Sequence, residues 1–144
     1  MKDNKTLTAP CGLDCFNCEI YEDNLTVAFA ELIHEKIGVS MEEIPCKGCR
    51  QQDGNHYHLP PEGCATLDCV KAKGVEFCCD CNDFPCALLA PTADKAAQYP
   101  HNMKVYNLCR IKKVGIEHWI EQEAGQIRKQ YFKGKFAVGK GQTA

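Results

Sequence analysis

Residues 64–86 read CATLDCVKAKGVEFCCDCNDFPC, with cysteines at 64, 69, 78, 79, 81 and 86. The stretch holds no alternating run of β-branched or aromatic residues, so it does not read as a strand pair. Thr66 to Gly74 reads as a short capped helix carrying Cys69, and Asp83-Phe84-Pro85 places a proline at the start of another short turn before Leu88 and Leu89. Such a segment can bury little apolar surface against a conformational entropy of about 1–2 kcal/mol per ordered residue. Its order has to come from its sulfurs. The fold expected is therefore a small α+β one, mainly short helices and irregular cysteine-rich loops stabilised by metal, with any strands confined to small hairpins beside the cysteine turns.

Outward from this stretch the pattern repeats. Upstream lie Cys46-x2-Cys49 and Cys11-x3-Cys15-x2-Cys18, whereas only Cys109 lies downstream, giving 12 cysteines in 144 residues. Two thiolates separated by a tight turn can face one ion, and Zn²⁺ asks for four donors at tetrahedral corners. The candidate ligands are Cys11, Cys15, Cys18, Cys46, Cys49, Cys64, Cys69, Cys78, Cys81 and Cys86. Cys46 and Cys49 with Cys64 and Cys69 approximate a zinc-ribbon layout. In the other arrangement Cys69 joins Cys78, Cys81 and Cys86, and the preceding site takes a histidine. His56 and His58 lie in the intervening loop. Spacing alone leaves both arrangements open.

The opening MKDNKTLTAP is polar and lacks the apolar run of a signal peptide, and no apolar stretch is long enough to span a membrane. The expected compartment is the cytoplasm, where disulfides are rare and clustered cysteines point to metal. Zinc is the expected cofactor, with an iron–sulfur cluster or thiol redox chemistry as the alternative. Cys11-x3-Cys15-x2-Cys18 is also the spacing by which radical S-adenosylmethionine enzymes hold a cluster. Those enzymes, however, need repeated βα units and a chain longer than roughly 200 residues. No H-E-x-x-H or H-x-E…C-x2-C pattern is present, so nothing marks a catalytic zinc.

Charge divides the chain. Residues 1–100 carry 8 basic and 16 acidic side chains, and residues 101–144 carry 9 and 3. One domain over 1–144 is expected, an acidic cysteine-rich body with a basic helical end packed on it. Asn24 to Gly38 reads as a helix with Leu25, Ala28, Phe29, Leu32, Ile33 and Ile37 on its apolar side. Asn102 to Gly115 reads as a second, and a third from Ile116 carries Trp119, Ile120, Ala124, Ile127 and Tyr131 on one side. The last two form the expected C-terminal helical pair. Cys109 on the first of them reads as a small buried hydrophobe. Residues 134–144, GKFAVGKGQTA, read as loosely held. A nucleic-acid binder would use Lys104, Arg110, Lys112, Lys113, Arg128, Lys129, Lys133 and Lys135 near Tyr131 and Phe132, but no base-reading motif accompanies them. Nucleic acid is therefore not the expected partner; a protein is.

CGLDCFNCEIY at 11–21, PCKGC at 45–49, CATLDCVKAKGVEFCCDCNDFPC at 64–86 and GIEHW at 115–119 occur in that order. Together they resemble the cysteine-rich prokaryotic domain of unknown function 3795 family. The resemblance implies a cytoplasmic, zinc-binding domain with no activity to transfer, and the ten candidate ligands correspond to the family's recurrent cysteines. Cys79 and Cys109 stand outside that pattern, and this chain reads YFKGKFAVGK where many relatives carry a further C-x2-C. The function expected is a module whose metal is mainly structural and whose surface meets a partner.

Overall fold

The structure is a computed structural model describing residues 3–91, 96, 98–134, 136–137 and 141–142. Its helices are α1 (Asn4–Leu7), α2 (Val27–Ile37), α3 (Cys49–Gln52), α4 (Ala65–Lys73), α5 (Met103–Val114), α6 (Ile116–His118) and α7 (Ala124–Lys133). A π-helical turn, Trp119–Glu123, joins α6 to α7. Short 3-10 turns form at Cys15–Asn17, Cys78–Asp80, Ala87–Leu89 and Pro100–Asn102.

The α+β expectation is wrong: this is a helical chain with irregular loops. Among the described residues, extended pairing amounts to one two-residue antiparallel ladder, Phe136–Ala137 with Gly141–Gln142, and one parallel bridge between Tyr21 and Cys46. The cysteine turns do not widen into hairpins. Cys78-Cys79-Asp80 winds into a 3-10 turn closed by Cys81 N–H to the Cys78 carbonyl at 3.1 Å, so local bonds satisfy its backbone without a ladder.

The core is assembled by the C-terminal helices. Met103, Leu108 and Ile111 of α5, Ile116, Trp119 of the π turn, and Ala124 and Ile127 of α7 close over Ala9, Cys11, Phe77, Cys79 and Leu89. Trp119 is fully buried, with Phe16 meeting it edge-on at 6.0 Å. The cysteine loops 9–18 and 77–81 thus rest on a helical platform. Gly12 shows how closely: at φ +90 a Cβ there would lie 2.9 Å from both Leu108 Cγ and the Lys104 carbonyl. Asn107 Nδ2 donates to the Gly12 carbonyl at 2.8 Å and fixes the contact.

Three sequence expectations change on inspection. Helix α2 forms and ends at left-handed Gly38, but Thr26, not Asn24, caps it by accepting from Phe29 N–H at 3.2 Å. Its apolar side then stays largely uncovered: Phe29, Leu32 and Ile37 are exposed, and the one buried residue of the helix, Ala30, is not among those read onto that side. Cys109 is exposed, and Cys79 occupies the core position expected of it. The looseness expected of 134–144 and the contribution of Lys135 fall mainly outside the described residues.

The basic residues of the C-terminal helices are substantially engaged. Arg128 donates to Asp14 at 2.8 Å and to Glu19 at 3.1 Å, and Arg110 clasps Glu123 through two bonds of 2.8 and 2.7 Å. Lys112 donates to the Cys79 carbonyl, and Lys104 is buried. Lys113, Lys129 and Lys133 remain exposed.

Candidate metal centre

The thiols fall into two neighbourhoods. In the first, Cys15 is hydrogen-bonded to Cys49, and the charges of Cys49 and Cys64 each act on Cys11. Cys18 and Cys46 lie at the edge of this group, each within electrostatic reach of one of its members and of the other. Backbone pairing makes the junction: Cys46 N–H donates to the Ile20 carbonyl, and Glu22 N–H to the Cys46 carbonyl, both at 2.8 Å. In the second neighbourhood Cys78 is surrounded by Cys86, Cys69, Cys79 and Cys81. Helix α4 separates the two, with Cys64 just before its first residue and Cys69 on its body.

The structure therefore does not arrange the zinc-ribbon pairing of Cys46 and Cys49 with Cys64 and Cys69. Cys69 acts on Cys78, as do Cys81 and Cys86, and Cys64 acts on Cys11. A nine-residue helix between Cys64 and Cys81 turns the two cysteines of the Cys64-x4-Cys69 pair to different neighbours.

Local backbone prepares the sulfurs. In CKGC, Gly48 takes φ +103, where a side chain would also strike Gln51. That geometry aims Gly48 N–H at Cys46 Sγ, 3.4 Å away. Asp83 N–H points in the same way at Cys81 Sγ, 3.4 Å away, and Lys73 Nζ lies 3.3 Å from that sulfur while pairing with Asp83. N–H groups and ammonium ions directed at sulfur favour the thiolate.

Burial works against them. It pushes the Cys11 thiol up to about 12, Cys46 to about 11 and Cys78 to about 12, the last helped by Cys86 and Cys69. Cys49 is the exception: the hydrogen bond from Cys15, and then the Arg50 guanidinium, bring it down to about 7. The same bond, together with burial, holds Cys15 well above the usual thiol range. The first neighbourhood thus contains one sulfur that ionises near neutrality, Cys49, beside Cys11, Cys15 and Cys46, whose thiols are held above the usual range.

Two cations near these sulfurs escape a reading of the sequence. Buried Lys104 of α5 acts on both Cys11 and Cys49. Arg50 donates to the Thr8 carbonyl at 3.1 Å and the Glu76 carbonyl at 2.7 Å, and lies 5.1 Å from the Phe77 ring centroid. It ties the first neighbourhood to the loop that begins the second. The direct link is Cys78 N–H to the Pro10 carbonyl at 2.9 Å. Only the run of basic residues from 104 onward hinted that cations would be needed near the thiols.

His56 and His58 occupy the loop between α3 and α4, their Nδ1 atoms facing each other. Burial lowers His56, and burial followed by the neighbouring His56 and His101 lowers His58, although His58 as a residue is exposed. Both imidazoles are neutral at pH 7.

The donor chemistry suits a soft or borderline cation, because sulfur dominates and neutral imidazole is the other candidate. Among the described residues, no three His, Cys, Asp or Glu side chains stand close enough together to hold an ion as they are. The fold gathers the thiols by neighbourhood without drawing four of them onto one point. No helix among the described residues is long and apolar enough to cross a membrane.

A family model described as a protein of unknown function (DUF3795) matches residues 7–91, a span that contains both thiol neighbourhoods and the two loop histidines. Searches of curated proteins and of solved structures each found no match.

Proposed function

The chain belongs to the DUF3795 family of proteins of unknown function, and from that footing we propose that it is a zinc–thiolate module of the cytoplasm. Its metal holds the loop-rich 9–86 region in shape, and its surface meets a protein partner. The observation that carries this reading is the sorting of ten cysteines into two neighbourhoods, with N–H groups aimed at Cys46 and Cys81. Lys104 and Arg50 offset negative charge that thiolates would bring to the first group. A structural zinc site can contribute on the order of 10 kcal/mol of apparent folding free energy, enough to replace a sparse core. The uncovered side of α2, on which Phe29, Leu32 and Ile37 are exposed, supports the interaction role.

The test is thiol accessibility in protein purified without oxygen. The proposal expects the ten cysteines to resist alkylation until a strong chelator is added, with Cys109 alone reacting at once. Immediate alkylation of all the cysteines in folded protein contradicts it.

A further inference from the structure

We propose that Cys15 and Cys49 are a site of reversible covalent modification, a pair of thiols that closes into a disulfide when a hydroperoxide reaches them. The inference goes beyond the metal reading and does not require it, because the contact is made by the chain's own residues. Cys15 S–H donates to Cys49 Sγ across 34 positions of sequence. In the second neighbourhood, by contrast, Cys86, Cys69, Cys79 and Cys81 act on Cys78 by charge. A hydrogen bond between sulfurs is the closer relation, and it singles out this pair.

One strap of chain fixes both sulfurs. Cys49 opens α3, and the two residues after it are tied to that strap: Arg50 Nε donates to the Thr8 carbonyl at 3.1 Å, and Gln51 Nε2 to the Thr6 carbonyl at 3.4 Å. The strap continues into the first cysteine loop, where Ala9 N–H donates to the Leu13 carbonyl at 3.0 Å. Asp14, just before Cys15, is anchored by Arg128 at 2.8 Å, and Cys18 N–H closes the Cys15–Asn17 turn on the Cys15 carbonyl at 3.0 Å. The sulfurs meet because two backbones are docked on the same support. A disulfide asks for about 2.05 Å between sulfurs and roughly 3.5–4.5 Å between Cβ atoms. Thiols already in hydrogen-bond contact reach that largely by side-chain rotation.

Access and charge favour the reaction at this pair. Cys15 and Cys49 are half-buried, so solvent reaches both, whereas Cys11 and Cys79 are buried. The Arg50 guanidinium and the Lys104 ammonium act on Cys49, an electropositive setting of the kind in which thiols react. Cys49 Sγ, which receives the S–H, attacks one oxygen of the hydroperoxide. An S–O bond forms, the O–O bond breaks, and the thiol proton leaves with the other oxygen as an alcohol, or as water from hydrogen peroxide. Cys15 Sγ then attacks the Cys49 sulfenic acid: the S–S bond forms, the S–O bond breaks, and the Cys15 proton leaves in a water molecule. Two thiols give up two electrons, and the hydroperoxide takes them. A thiol reductant reverses the change by exchange. Closing the pair withdraws both sulfurs from the donors of the first neighbourhood, so oxidation also sets how many thiols remain there for a cation.

The experiment uses the full chain carrying Cys109→Ser, purified without oxygen, so that the exposed thiol does not link one chain to another. Zinc content is measured first. Hydrogen peroxide is then added in steps up to one equivalent, the remaining thiols are blocked, and disulfides are located by mass spectrometry of a digest. The same map on the monomer fraction of wild type guards against an effect of the substitution. The proposal expects the Cys15–Cys49 link to make up most of the disulfide formed, with two thiols lost per peroxide consumed, and the link to open again with dithiothreitol. Another linkage predominating at the first equivalent, or the absence of any disulfide, overturns it. The zinc measurement bears on the thiolate reading alone, so failure of either is visible while the other stands.

Discussion

The Arg128 guanidinium donates to the carboxylate of Asp14 at 2.8 Å, joining residues 114 positions apart with the carboxylate 1% exposed. Asp14 sits within the CGLDC turn, between Cys11 and Cys15, and Arg128 lies on α7, beyond the family match at 7–91. The C-terminal helices therefore hold the first cysteine loop as well as roofing the core. Breaking a buried pair from one side strands the remaining charge and typically costs about 3–5 kcal/mol. Arg128→Ala is expected to destabilise by that order, and Asp14→Asn combined with Arg128→Met by clearly less than the two single changes added together. Urea unfolding of the four proteins checks it, and strict additivity contradicts the pairing.

The pH response of two carboxylates runs in opposite directions. Arg110 holds Glu123 below its ordinary value, so the unfolded chain binds that proton more readily. The stability contributed is present above the ordinary glutamate range, about 4.3, and is lost as pH falls through the lower folded value. Burial raises Asp14 despite Arg128, so its ionisation costs stability as pH rises through the window between the unfolded and folded values. Glu123→Gln is accordingly expected to be less stable than wild type at pH 7, with the gap narrowing near pH 3. A gap of equal size at both pH values contradicts the assignment.

Leu108 and Leu32 separate core from surface. Leu108 is fully buried against the Gly12 loop, and Leu32 on α2 is 43% exposed. Leu108→Ala is expected to cost about 2–5 kcal/mol. Leu32→Ala should stay within about 0.5 kcal/mol while weakening capture of a protein partner through the α2 face. Equal losses of stability in chemical denaturation would show that α2 is covered.

The cysteines allow a sharper contrast. Cys81→Ser removes a sulfur that receives the Asp83 N–H and approaches Lys73, whereas Cys109→Ser alters an exposed side chain. The first is expected to lose an ion and unfold the 46–86 region; the second should be nearly neutral. Hydrogen exchange with and without chelator reads the same effect in wild type: protection from 46 to 86 falls first, while α5 and α7 persist longer. Because Cys11, Cys46 and Cys78 hold protons well above neutrality, ion binding must displace them, and affinity should rise with pH. Protection across 46–86 that is unchanged in verified metal-free protein contradicts a metal-held loop.

Helices were legible where local signals agree. Gly38, Gly74 and Gly115 mark the ends of α2, α4 and α5, and the spacing of Trp119, Ala124 and Ile127 anticipates a buried side. Periodicity did not reveal whether a side is covered, and so α2 came out largely uncovered. The sheet content was overestimated because cysteine turns separated by two residues fit a hairpin or a closed 3-10 turn equally well on spacing. The grouping of sulfurs was illegible for a similar reason. Cys64 and Cys69 are near in sequence, but α4 carries them to different neighbourhoods, a consequence of three-dimensional packing. Asp14 and Arg128 left no local sign at all, since their contact depends on α7 crossing the first loop.

The most direct test of the account is elemental analysis of the full chain purified without oxygen, with protein measured by amino-acid content. The account predicts zinc in stoichiometric amount, in a colourless protein whose thiols become titratable only with chelator. Iron and acid-labile sulfide in stoichiometric amounts, with visible charge-transfer absorption, would replace zinc by an iron–sulfur centre. Folded protein containing neither metal would contradict the metal-held fold itself.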